Sequence, residues 1–363
     1  MNSLQPPSDL VPTQTYCSVV ESAETDAGSV EMTVCRTDRD ETLLRNESEA
    51  TRFGLYRLKE RLAAGGMGEV YAAEHTLLAR PCAVKFMRAG RDIDGSALKR
   101  FEREVRATAR LTHSNTVEIY DCGRTDDGTF YYVMELLPGL NLADLVKRHG
   151  PLPPERAVHF LLQVCGALSE AHGAGFVHRD ITPSNIFATS RGGVHDVAKL
   201  LDFGLVKEPT SEEAGNALAV PKGHFSGSPL YMSPEQATSY EEADARSDIY
   251  SLGAVAYYLL TGSPPFSGKT PLQVLAAHSR DEVTAPSRLQ SDLPDDLERV
   301  LLRCLEKSPG DRFQDVQALR HALGECDRAD RWTAERAAAW WRDVDREQED
   351  SRSQTDGRLN SKH

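Results

Sequence analysis

From Phe53 to His75 the chain reads FGLYRLKERLAAGGMGEVYAAEH, with apolar and polar positions alternating on either side of a glycine cluster. Successive strand side chains point to opposite faces, so this period of two predicts strands joined by a glycine-rich turn; PCAVKFM at 81–87 predicts another. Between Gly95 and Leu111 the spacing becomes helical, with Ala97, Phe101, Glu104, Thr108 and Leu111 on one face. After FYYVMELLP the helical period dominates. PPERAVHFLLQVCGALSEAHGAG opens on prolines, carries an apolar stripe at 157, 161, 164 and 168, and closes on glycine. The pattern predicts an α+β, bilobed chain: a small strand-rich N-lobe with one main helix, then a larger helical C-lobe.

The ends read differently. Residues 1–50 are rich in Ser, Thr, Asp and Glu, without a strand or helix period, and predict a disordered acidic arm. DRWTAERAAAWWRDVD predicts an amphipathic helix at about 327–345 carrying Trp332, Trp340 and Trp341 and packed on the helical lobe, followed by a disordered tail at 346–363. The expected organisation is therefore an arm, a folded domain at 51–326 (N-lobe about 51–134, C-lobe about 138–326), the tryptophan helix and the tail.

A net charge of -13 argues against general binding to nucleic-acid backbones, which calls for a basic patch. The 7 cysteines form no C-x-x-C pair and read as isolated thiols in a reducing compartment. Neither a basic leader followed by an apolar run nor a stretch of ~20 apolar residues occurs. A cytoplasmic chain without membrane insertion is expected.

The candidate chemistry lies in four places. AAGGMGEV at 63–70 falls between two strand-like runs, a context that favours a glycine hairpin folded over phosphates rather than a dinucleotide fold. Lys85 in CAVK ordinarily reads as a solvated strand-end charge, yet Glu104 on the otherwise apolar face of the next helix offers it a counter-charge. HRDITPSN at 178–185 and KLLDFGL at 199–205, joined by the short hairpin IFATSRGGVHDVAKLL, supply the carboxylates of Asp180 and Asp202 and the amide of Asn185. These suit one partner for a substrate hydroxyl and hard oxygen ligands for magnesium.

In this order and spacing, the motifs from about Tyr56 to about Leu323 resemble the bacterial eukaryotic-type (Hanks-type) serine/threonine protein kinases, with the protein-kinase fold. The resemblance implies ATP and Mg2+ as cofactors and Ser/Thr hydroxyls of proteins, this chain's own included, as acceptors. By it, Leu62, Ala63, Gly65, Gly66 and Gly68 form the phosphate-covering loop, Val70 and Ala83 the roof over adenine, and Phe187 the floor. Met134 is the gatekeeper, and Glu135 to Leu137 form the hinge. Lys85, paired with Glu104, holds the α- and β-phosphates; Asp180 is the catalytic base; Asn185 and Asp202 hold magnesium. Glu235 in GSPLYMSPEQ pairs with Arg312, and Asp248 anchors the catalytic loop from below.

Two positions depart from the family. Ala63 replaces the first loop glycine, and Thr182 replaces a lysine that stabilises the transferred phosphoryl group, which removes a full charge. The resemblance lets Ser228, Thr182 and Asp180 form a hydroxyl-carboxylate cluster in its stead, and Thr210, Ser211 and Ser226 are acceptors in the activation segment. Two alternative readings differ in what they require. A nucleotide-binding pseudokinase scaffold draws support from Thr182 and Ala63 alone, and a small-molecule kinase would lack the SPE segment and its arginine.

Overall fold

The computed structural model describes residues 52–65, 68–87, 105, 108–125, 127–202, 229–238, 242–344 and 346. The arm at 1–50, Gly66, Glu104, most of the helix from Gly95, the acceptors Thr210, Ser211 and Ser226, Ser228, and the tail from 347 lie outside them. The chain divides into two compact units, Met1–Arg110 with Val117–Leu136, and Leu111–Thr116 with Leu137–His363.

The first unit is built on six strands: β1 (Arg52–Phe53), β2 (Tyr56–Gly65), β3 (Gly68–His75), β4 (Arg80–Met87), β5 (Ile119–Arg124) and β6 (Phe130–Glu135). They run antiparallel in the order β1-β2-β3-β4-β6-β5. The alternation read in the sequence places Val70 and Ala72 of β3 on a buried face. Strand β6, between two others, is buried at every position, which is why FYYVME reads as a continuous run rather than an alternation. The helix expected as far as Leu111 ends earlier: residue 108 is helical, 109–110 turn, and Leu111 is off the helix.

The second unit opens with the segment Leu111–Thr116, which the linear division into lobes had placed in the first. The cause is a carboxylate. Glu170 accepts the backbone N–H groups of Thr112 (2.9 Å) and His113 (2.9 Å) and the Thr112 hydroxyl (2.9 Å), so the segment is tied to the helix that carries Glu170. That helix, α2 (Pro154–Gly173), follows α1 (Leu142–His149). Its predicted stripe, Ala157, Leu161, Val164 and Leu168, is buried in the core of this unit.

A small antiparallel sheet, β7 (Gly139–Asn141), β8 (Ile186–Arg191) and β9 (Val194–Leu200), lies in the same unit with β9 at its edge. Further helices are α3 (Pro234–Thr238), α4 (Ala245–Thr261), α5 (Pro271–Arg280), α6 (Asp295–Cys304) and α7 (Val316–Gly324), with α8 at 334–344. Helix α4 starts where the Asp244 carboxylate accepts the Arg246 N–H and stops at Gly262, whose φ of 76° is left-handed. Almost all of α4 is buried, so it forms the spine of the unit. Helix α8 is shorter than the helix expected from 327: residues 327–330 turn, and Trp332 lies in the irregular stretch 331–333 before it. Trp340 and Trp341 pack against the core.

Candidate active site

In the strand-rich unit, Lys85 sits mid-strand in β4 with Val70 of β3 and Tyr132 of β6 as register partners. It is completely buried, unlike the solvated lysine its residue type alone suggests. Val70 and Ala83 are buried on adjacent strands, and Met134 and Glu135 close β6. Glu135 pairs with Glu118 through both backbone and side chain, at 3.0 and 2.9 Å. Ala63 pairs with Val70 and Gly65 with Gly68 in the β2–β3 hairpin, while Leu62 is exposed. Gly68 is dictated by the backbone: with φ of 150°, an added Cβ would lie 2.0 Å from the Phe86 carbonyl oxygen of β4. No other residue fits there without moving the strand that carries Lys85.

In the helical unit, HRDITPSN is an immobilised loop. Asp248 on α4, fully buried, accepts the N–H groups of His178 (2.8 Å) and Arg179 (2.7 Å) and a 2.7 Å bond from His172 Nε2. Arg179 has φ of 63°, a strained conformation for a bulky side chain, and this carboxylate holds it there. His178 accepts the Asp180 N–H at Nδ1 (3.2 Å), so Nε2 carries the proton and donates to the Leu201 carbonyl at 2.7 Å. One imidazole thereby connects Asp180 to the strand end that precedes Asp202.

Asn185 ends the short 3-10 turn Pro183–Asn185, and its Nδ2 donates to the Asp180 backbone oxygen (2.9 Å) and carboxylate (3.1 Å). The amide nitrogen is thus turned to Asp180, and Oδ1 makes no hydrogen bond among the described residues. The Leu201 N–H donates to the Asn185 carbonyl at 2.9 Å, which sets Asp202 beside Asn185. Asp202, half-buried, has φ of 42°, a second strained position. An amide oxygen and a carboxylate are the hard oxygen donors that suit Mg2+, which takes one or two protein ligands and completes its shell with phosphate oxygens. Phe187 and Leu137 are half-buried in this unit, Phe187 on β8.

Thr182 is 2% exposed, and its hydroxyl has no hydrogen-bond partner among the described residues. The proposed cluster with Ser228 lies outside them. Glu235 on α3 meets Arg312 as the motif implies, in a bidentate pair at 2.7 and 2.8 Å, and Ser247 adds a third bond at 2.6 Å. Burial would raise the Glu235 carboxyl, but these bonds and the guanidinium charge outweigh it and hold it below the ordinary range. The parts that the sequence did not single out are His172, Gln236, which donates to the Arg179 carbonyl at 3.0 Å, and His278. His278 receives the Tyr250 hydroxyl (2.7 Å) and reaches the Leu230 carbonyl (3.1 Å) next to SPE; burial pushes it down to about 4.

Residues 56–323 match the protein kinase domain family. The chain is 39% identical over 271 residues to the serine/threonine-protein kinase PknB of Mycobacterium tuberculosis, an alignment covering 74% of this chain and 42% of that protein. It is 37% identical over 275 residues to the serine/threonine-protein kinase pkn3 of Myxococcus xanthus, covering 75% and 50%. The crystal structure of the Mycobacterium tuberculosis PknI kinase domain superposes with a TM-score of 0.59 at 28% identity, covering 77% of this chain and 98% of that one. The chain thus spans half or less of the length of the curated relatives it matches.

Proposed function

The chain belongs to the protein kinase family, and on that premise we propose that it transfers the γ-phosphoryl group of ATP to Ser/Thr hydroxyls of proteins, its own among them. The observation that carries the reading is the fastening of Asp180 by Asn185 Nδ2 at 3.1 Å within a loop tethered by Asp248. A base must be held within reach of the hydroxyl proton it accepts, and this one is held from two sides.

In this reading Lys85 neutralises the α- and β-phosphates and Glu104 orients its amine. Asn185 Oδ1 and the Asp202 carboxylate hold Mg2+, which when bound offsets the charge of the phosphates. Asp180 takes the proton of the acceptor hydroxyl. Thr182 contributes a neutral hydroxyl donor where the family has an ammonium group. Within the strand-rich unit, Leu62 belongs to the phosphate-covering loop and Val70, Ala83 and Met134 are the adenine-facing side chains; Glu135 to Leu137 carry the hinge role and Phe187 of the helical unit the floor role that the family pattern gives them.

Free cysteines at 82, 122, 165, 304 and 326, together with ATP as donor, support a cytoplasmic setting and a signalling role. Among the described residues no helix is long and apolar enough to cross a membrane. A scaffold that binds nucleotide without transfer is not supported, since the base and both oxygen ligands are present.

The test is incorporation of label from γ-labelled ATP with Mg2+ into the chain itself and into a generic Ser/Thr protein acceptor. The parent incorporates label, Asp180→Asn lowers the rate about 10²–10⁴-fold, and Lys85→Met is comparably impaired. Incorporation that survives Asp180→Asn unchanged would sink the proposal.

A further inference from the structure

Strand β9 stops two residues before Asp202 and is the edge of its sheet, yet its free side is occupied along its length. At the far end, Asp196 is fully buried with φ of 56°, and its carboxylate accepts four hydrogen bonds. Arg156 supplies two, at 2.8 and 2.9 Å, and the indole N–H groups of Trp332 and Trp341 supply the others, at 2.9 and 2.7 Å. Arg156, 1% exposed, lies under the Trp340 ring at 3.7 Å from its centre. The three indoles come from residues 331–344, beyond the end of the family match at 323.

From Asp196 the contacts continue along the strand. Gln163 of α2 donates to the Asp196 carbonyl (2.9 Å) and accepts the Ala198 N–H (2.9 Å), so one side-chain amide completes the sheet edge as another strand would. Asn115 donates to the Ala198 carbonyl at 2.7 Å and through its own carbonyl accepts the Leu200 N–H at 2.7 Å. Leu201 is held by Asn185 at 2.9 Å and by His178 at 2.7 Å. Asp202 follows, at a positive φ that persists only where neighbours overdetermine it.

We propose that residues 331–344 are a strap that fixes the position of Asp202 through β9, with Asp196 the positioning residue that joins strap to strand. The inference rests on the reading of Asp202 and Asn185 as the magnesium ligands. The indoles and Arg156 lock one end of the strand, Gln163 and Asn115 carry its register, and the catalytic loop receives the other end. Loosening the far end lets β9 slide or fray and moves a metal ligand without touching it.

The full chain carrying Trp332→Phe and Trp341→Phe removes two donors while keeping the rings and the Arg156 pair; Asp196→Asn is the harsher companion. Two measurements decide. Amide exchange at 198–202, without nucleotide or metal, accelerates in the double variant by ~3- to 10-fold while the thermal midpoint stays within a few degrees, and the Mg2+ concentration for half-maximal ATP turnover rises by a similar factor at unchanged protein-substrate KM. Unchanged exchange at 198–202 overturns the proposal, as does faster exchange with an unaltered Mg2+ dependence. A parent chain that transfers no phosphoryl group defeats the kinase reading instead, and the exchange arm, which needs no activity, still decides whether the strap holds β9.

Discussion

Removing Arg312 strands the buried Glu235 carboxylate, together with three backbone carbonyls that the guanidinium serves. Arg312 is fully buried, and all of its N–H groups are used: Nε to Glu306 O, Nη1 to Glu235 and Arg246 O, Nη2 to Glu235 and Lys307 O, at 2.7 to 3.0 Å. Arg312→Met preserves most of the volume but leaves the Glu235 carboxylate, 12% exposed, with Ser247 as its one described side-chain donor. A buried charge that loses its partner costs about 3–5 kcal/mol, whereas an exposed pair is worth about 0–1.

Urea unfolding followed by tryptophan emission reads this in the right place, since all 3 tryptophans lie in the helical unit. With a slope near 3 kcal/mol per M, the midpoint should fall by about 1–2 M at pH 7. Acidity adds a second check. In the parent, Glu235 is held below its ordinary value, so its contribution is complete above that value and is lost as pH falls through the lower folded one. In the variant, burial, the largest influence, outweighs the remaining Ser247 bond and raises the carboxyl, which takes up a proton before the unfolded chain does. The stability gap between parent and variant therefore narrows on going from pH 7 toward pH 5. A gap below about 1 kcal/mol at pH 7, or one that widens in acid, refutes the reasoning.

Substitutions at two other positions probe single side chains. Thr182→Val removes a buried hydroxyl without a described partner and should raise stability by about 1 kcal/mol in thermal unfolding while lowering kcat; Thr182→Lys should raise kcat, and a stability loss with Val contradicts the orphan assignment. His278 is pushed down to about 4 by burial, so the unfolded chain binds its proton first and stability declines as pH falls from about 6.5 toward 4, by about 3 kcal/mol in all. Urea midpoints across that range should lose most of this slope in His278→Gln.

What could be read from the sequence, and what could not, divides by the range of the interaction. Alternation around the glycines located β2 to β4, and the stripe of α2 was read to the residue, because periodicity records which face of a local element is apolar. Asp180, Asn185, Asp202, Glu235 and Arg312 stand out in the sequence because they sit in ordered motifs. Leu111–Thr116 was placed in the wrong unit because Glu170, which captures it, is 58 positions from Thr112. Asp196 passed as one polar residue of a hairpin, since its partners at 156, 332 and 341 share neither motif nor period with it.

The tryptophan segment also separates the extent of the family match from the extent of the folded unit. The family match closes at residue 323, yet an arginine and an aspartate inside that boundary satisfy their buried charges with indoles outside it. A chain cut at 323 would keep every residue assigned to ATP, metal and acceptor and would still expose Arg156 and the rear of α2 to water. The folded unit of this member of the protein kinase family therefore extends past the residues that the family match covers.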